Sequence, residues 1–179
     1  MLSGSALTAI VAVRAQWLVG AAEATEQAPD VTIENFTASG NSTGLVRLAK
    51  VVKSDDAWQR ELTPEQFAVT RRAGTEKPFS GAYWDSRHDG LYRCICCNTA
   101  LFDSSTKFVS HTGWPSFYEP ISVHNIVKIE DNRFGLHRTS VSCALCDGHL
   151  GDLFQDGPPP TGLRYCVDSA ALRFVKRSG

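Results

Sequence analysis

Alternation marks where the chain starts to look structured. In Val31-Thr32-Ile33-Glu34-Asn35-Phe36, apolar and polar residues take turns, which is the period of a half-buried strand. Ser39-Gly40-Asn41-Ser42-Thr43-Gly44 then reads as a turn, and Leu45 to Val52 as a returning strand. Glu61-Leu62-Thr63-Pro64-Glu65-Gln66-Phe67 carries the signals of a helix start: Thr63 as N-cap, Pro64 in the first turn and Gln66 as capping-box partner. Leu62 and Phe67 complete it as a hydrophobic staple, and Gly74 is expected to close the helix. Beyond it the helical period fades. Short strand-like runs follow at 90–93, 126–129, 138–142, 164–167 and 172–175, separated by Gly, Asp, Asn and Pro. The pattern predicts a mostly β (α+β) domain of antiparallel sheets with a few short helices near its N-terminal edge.

The segment before the first strand follows another rule. Leu7–Val13 and Trp17–Ala22 are apolar, with Arg14 between them and small residues around Ala21, Ala22 and Ala24. This loosely resembles a signal peptide, yet no basic residue precedes the run. Export, or a start without a targeting role, both stay open. The run is too short and broken to span a bilayer as a helix, so no stable membrane insertion is expected. The chain thus divides into 1–30, a signal-like or linker segment; 31–57, a β-hairpin extension; and 58–179, the main domain.

Charge excludes one class of function. Lys plus Arg number 18 against 19 Asp plus Glu, so no basic surplus recommends nucleic-acid phosphates as a partner. The six cysteines point elsewhere, since all lie in the second half of the chain. Cys94-Ile95-Cys96-Cys97 and Cys143-Ala144-Leu145-Cys146 each contain Cys-x-x-Cys. Two such knuckles close a four-sulfur shell, the arrangement zinc takes in structural sites. Cys94, Cys97, Cys143 and Cys146 are the expected ligands of one zinc ion. A redox or disulfide role is the alternative. Such a metal site is also compatible with a module that only binds a partner. Cys166 stands apart. A single Cys in an apolar strand is most often an inert core residue, although Arg164, two residues away, would sit on the same strand face and favour a thiolate.

Several segments occur in one order: Gly74-Thr75-Glu76-Lys77-Pro78-Phe79, Gly113-Trp114-Pro115-Ser116-Phe117, Cys146-Asp147-Gly148-His149-Leu150-Gly151, Asp156-Gly157-Pro158 and Leu163-Arg164-Tyr165-Cys166. Together they resemble the signature segments of the B-type methionine sulfoxide reductases, zinc-containing branch, from about Trp58 to Val175. The resemblance implies two antiparallel β-sheets with peripheral helices, and reduction of the R epimer of methionine sulfoxide in proteins or peptides. It implies that Cys166 attacks the sulfoxide sulfur, leaving a sulfenic acid. Trp114 would bind substrate, with the indole against the methyl group, and Phe117, Asp168 and Thr112 are expected beside it at the substrate site. His149 would place water or a proton, and Arg164 would favour the thiolate. A monomer is expected.

Three positions depart from the family pattern. Asp152 stands where many relatives have a histidine, and Asp168 where many have asparagine. Carboxylates near Cys166 disfavour its thiolate unless one of them, Asp152 first, holds a proton and serves as the acid. Thr112 stands where many relatives have a resolving cysteine, so regeneration is expected to use an external reductant, thioredoxin or a small thiol, with Cys96, the one cysteine claimed by neither zinc nor catalysis, as the alternative. The alternative reading is a zinc-ribbon β domain that has lost catalysis and binds a ligand or partner.

Overall fold

The computed structural model describes residues 28–131 and 138–177, of Asp131 the backbone alone. The signal-like run before Pro29 lies outside the described residues. Strands β1 (Asp30–Phe36) and β2 (Ser42–Ala49) form the expected hairpin, paired from Asp30 opposite Ala49. Helix α1 (Asp55–Glu61) is capped by Ser54, whose side chain accepts from the Ala57 amide. Helix α2 (Pro64–Arg72) has the full capping box: Thr63 accepts from the Gln66 amide, and Gln66 reaches back to the Thr63 amide. The left-handed residue that ends α2 is Ala73, one position before Gly74. Gly74 serves the next step. Its amide bonds the Ala68 carbonyl at 3.0 Å, an approach that the missing Cβ keeps open.

The remaining strands are β3 (Gly90–Cys94), β4 (Ala100–Asp103), β5 (Lys107–Phe108), β6 (Ser116–Phe117), β7 (Ile126–Asp131), β8 (Arg138–Cys143), β9 (His149–Phe154), β10 (Arg164–Val167) and β11 (Leu172–Lys176). They make a six-stranded sheet, β5-β6-β10-β9-β8-β7, and a three-stranded sheet, β11-β3-β4, antiparallel throughout. With the hairpin, the described residues form three antiparallel sheets. The core between them is strongly aromatic. Phe102 stacks on Phe117 with centroids 4.4 Å apart, and Tyr92 meets Phe117 edge-on at 5.0 Å. Tyr165, Leu101, Val141 and Leu150 complete this buried layer.

The hairpin is joined to that core by polar bonds as well as by Ile33. Buried Asn125 accepts from the Glu34 amide and donates to the carbonyls of Glu34 and Ala100, each at 2.8 Å. The Val51 amide bonds the Leu145 carbonyl at 2.8 Å, and Lys50 pairs with Asp147. Arg93 donates to the Phe36 carbonyl. Helix α1 straddles the position where a boundary between hairpin and main domain is expected, and its Trp58 is almost fully buried under the cations of Lys53 and Arg71. Among the described residues, no helix is long and apolar enough to cross a membrane.

Asn125→Ala should destabilise the protein by about 3 kcal/mol, since it strands buried backbone groups of β1 and β4. Thermal unfolding would read the loss, and hydrogen exchange should show β1 and β2 losing protection first.

Candidate active site and metal knuckle

Strand register places Cys166. On β10 it lies opposite Ser116 of β6 on one side and Asp152 of β9 on the other, and Asp152 lies opposite Ser140 of β8. These four residues form one row across the sheet. Their neighbours Tyr165 and Phe117 pair in the next row and point into the aromatic core. Alternation therefore turns Cys166 out of the core, where it is half-buried. The same alternation places Phe117, expected at the substrate site, on the core side of the sheet, where its ring is fully buried and stacked on Phe102.

Arg164 sits two residues along the same face. Its guanidinium is held by a two-point ion pair with Asp156, both bonds at 2.8 Å, and lies over the Phe154 ring at 4.2 Å. Burial pushes the Cys166 thiol up from its ordinary range. The Arg164 charge and the Thr112 hydroxyl oppose that shift, while Asp168 and Asp152 add to it. Thr112 Oγ1 lies 4.0 Å from Cys166 Sγ and ends a hydroxyl chain: Ser116 to Ser110, then Ser110 to Thr112, each at 2.8 Å.

The carboxyls differ sharply. Asp152 is the acceptor of a two-point ion pair from Arg138, with Nε to Oδ1 at 2.6 Å. Asp168 is almost fully buried, and burial pushes its carboxyl up to about 7, with the charges of Glu76 and Asp152 assisting. The Glu76 amide, donating to Asp168 Oδ1 at 2.9 Å, works the other way. His149 is buried, which depresses its pKa and keeps it neutral at pH 7. Its Nδ1 shares a 3.2 Å bond with Ser140, while Nε2 is buried without a partner among the described residues.

Two residues of this site escaped the sequence reading. Buried Glu76 donates its amide to Asp168, accepts the Trp114 indole N–H on its carbonyl at 3.1 Å, and accepts the Ser169 and Ala170 amides on its carboxylate. It thereby joins Trp114 to Asp168. Asp156 does the same service for Arg164. Both belong to the segments that carry the family resemblance, and that was their available signal.

The knuckles are built alike. In each, the first Cys amide bonds a carbonyl five residues on (Cys94 to Thr99, Cys143 to Gly148). The residue after the second Cys, Asn98 or Asp147, is left-handed and bonds back to the first Cys carbonyl. The sulfurs of Cys94, Cys97, Cys143 and Cys146 all lie within 4.8 Å of one another, with close pairs at 3.6 Å and 3.4 Å. Four thiolates around one metal at about 2.3 Å would sit about 3.8 Å apart. The donor set therefore fits a single tetrahedral thiophilic ion.

A β protein with a four-sulfur knuckle and a half-buried cysteine beside an oriented arginine is the class these features define. The SelR domain model matches residues 62–176, and the chain belongs to that family. Similar proteins include the "Peptide methionine sulfoxide reductase MsrB" of Synechococcus sp., 56% identical over 128 residues, covering 72% of this chain and 94% of the relative. The protein of that name from Pseudomonas fluorescens is 55% identical over 130 residues, 73% of this chain and 100% of its own length. The one from Herminiimonas arsenicoxydans is 53% identical over 125 residues, 70% and 91% respectively.

Metal analysis should find one ion per chain. Cys143→Ser should lose it and unfold at lower temperature, whereas Cys96→Ser should retain it. Equal metal content in both variants would count against the four-cysteine site.

Proposed function

We propose that the protein reduces methionine-R-sulfoxide in polypeptides to methionine, with Cys166 as the nucleophile. The observation that carries this reading is the register that turns Cys166 onto the open face of the sheet with Arg164 beside it, in a chain of the SelR family. The Cys166 thiolate attacks the sulfoxide sulfur while the oxygen takes up one proton. The hydroxyl passes from the methionine sulfur to the Cys166 sulfur as the bond between the two sulfurs breaks, so methionine leaves and Cys166 holds the oxygen as a sulfenic acid. A first external thiol displaces it as water and forms a mixed disulfide; a second thiol releases Cys166 and departs as the disulfide. Thr112 cannot form an internal disulfide with Cys166, so thioredoxin or a small thiol serves as reductant. Trp114, held by the Glu76 carbonyl, packs against the methyl group. The neutral His149, with Nε2 free, positions water or the sulfoxide oxygen.

Of the two carboxyls, Asp168 is the one we assign as acid. Asp152 has both oxygens engaged by Arg138, whereas burial raises the Asp168 carboxyl to about 7, so it holds a proton near neutrality. The knuckle metal we assign as zinc, a structural ion that supplies cross-linking between the two Cys-x-x-Cys turns.

With dithiothreitol as reductant, only the R epimer of a peptide sulfoxide should be consumed, and Cys166→Ser should abolish the reaction. If the folded, metal-loaded protein turned over neither epimer, a binding module would be the better reading.

The pH dependence follows from Asp168. Below about pH 7 each unit of pH yields tenfold more Cys166 thiolate with the acid still protonated, so kcat/KM should rise. Above it the gain in thiolate and the loss of acid cancel, and the profile should level off. Asp168→Asn should lower the rate below pH 7 by about 100-fold and remove the levelling. An equal or faster rate in that variant would reduce Asp168 to a charge that merely opposes the thiolate.

A further inference from the structure

Trp114 borders a cavity much larger than one methionine sulfoxide side chain. The hollow, about 760 Å³, runs from Gly113 and Trp114 along β5 to the 84–88 segment. Its apolar walls are unusually open to solvent: Phe79 is 54% exposed, Trp84 37% and Val109 58%. Phe79 and Trp84 meet edge-on at 5.3 Å, so the aromatic wall is fixed. Exposed apolar groups gathered in a concavity mark a binding surface.

The charged lining is of one predominant sign. Arg87 and Lys107 face a single carboxylate among the described lining residues, Asp85, and the exposed His88 and His111 complete the rim. Lys107 is held in place by a 3.2 Å bond to the Trp84 carbonyl, and burial lowers its pKa. Arg87 is exposed. A concave wall with a surplus of cations concentrates negative potential partners.

We infer that this cavity binds the polypeptide flanking the oxidised methionine and selects stretches in which acidic residues stand beside apolar ones. The inference rests on the reductase reading above, because Phe108, Val109 and Ser110 line both this cavity and the neighbouring hollow that holds Thr112 and Arg164. A sulfoxide side chain held against Trp114 leaves its backbone continuing across the cavity, with aliphatic or aromatic neighbours on Phe79 and Trp84. Flanking carboxylates then meet Arg87 and Lys107. Free methionine sulfoxide would use none of these contacts.

Three peptides of one length test this, each with a central methionine-R-sulfoxide, a leucine, and flanking aspartates, glutamines or lysines on both sides. With the full chain and dithiothreitol at pH 7, kcat/KM should be about fivefold higher for the aspartate peptide than for the glutamine one, and lower for the lysine peptide. The difference should lie in KM and shrink at high salt. Arg87→Glu, an exposed substitution, should level or invert the order. Cys166→Ser should bind the three peptides in the same order by tryptophan fluorescence, so the cavity is tested without turnover. Equal values for the three peptides, or an order unmoved by Arg87→Glu, would overturn the inference. Ordered binding with no turnover of any peptide in the parent chain would instead sink the reductase reading and leave the cavity standing.

Discussion

The row Ser116–Cys166–Asp152–Ser140 depends on one antiparallel register held across four strands. Slipping β10 by one residue would send Cys166 into the aromatic core and bring Tyr165 to the surface. Gly151 is part of what holds the register. It adopts a positive φ, and a Cβ there would lie 2.0 Å from the Cys166 carbonyl oxygen, so only glycine lets β9 approach the reactive strand this closely. The stacked rings beneath resist the slip as well, since Phe117 and Tyr165 fill their places in the core completely.

Two long-range ties hold the frame around that row. The four-sulfur knuckle joins the turn after β3 to the turn between β8 and β9. The hairpin then binds the second of those turns directly, through the Val51 amide on Leu145 and Lys50 on Asp147. The N-terminal strands are thus connected to the catalytic sheet by way of the metal turn, whose next strand, β9, carries Asp152.

Burial sets the electrostatics of the site. It raises both the Cys166 thiol and the Asp168 carboxyl, which disfavours a thiolate at the first and favours a protonated carboxyl at the second. Arg164 compensates for the first, and its own orientation is fixed by Asp156. Asp152, though aligned with Cys166, is balanced by Arg138 and so adds less negative charge to the row than its position suggests.

Local signals were legible without any fold. The Thr63–Gln66 capping box, the hairpin alternation and the two Cys-x-x-Cys turns act over a few residues, and the chain alone determines them. The family resemblance added Cys166, Trp114 and His149, where spacing by itself favoured an inert core cysteine. What the sequence could not decide depends on partners far along the chain. Phe117 lies next to Ser116 but faces the opposite side of the sheet. Asp152 and Asp168, two carboxyls in similar motifs, part company because Arg138 engages one while Glu76 and burial enclose the other. Ionisation and facing are properties of surroundings, and only the tertiary structure brings those surroundings together.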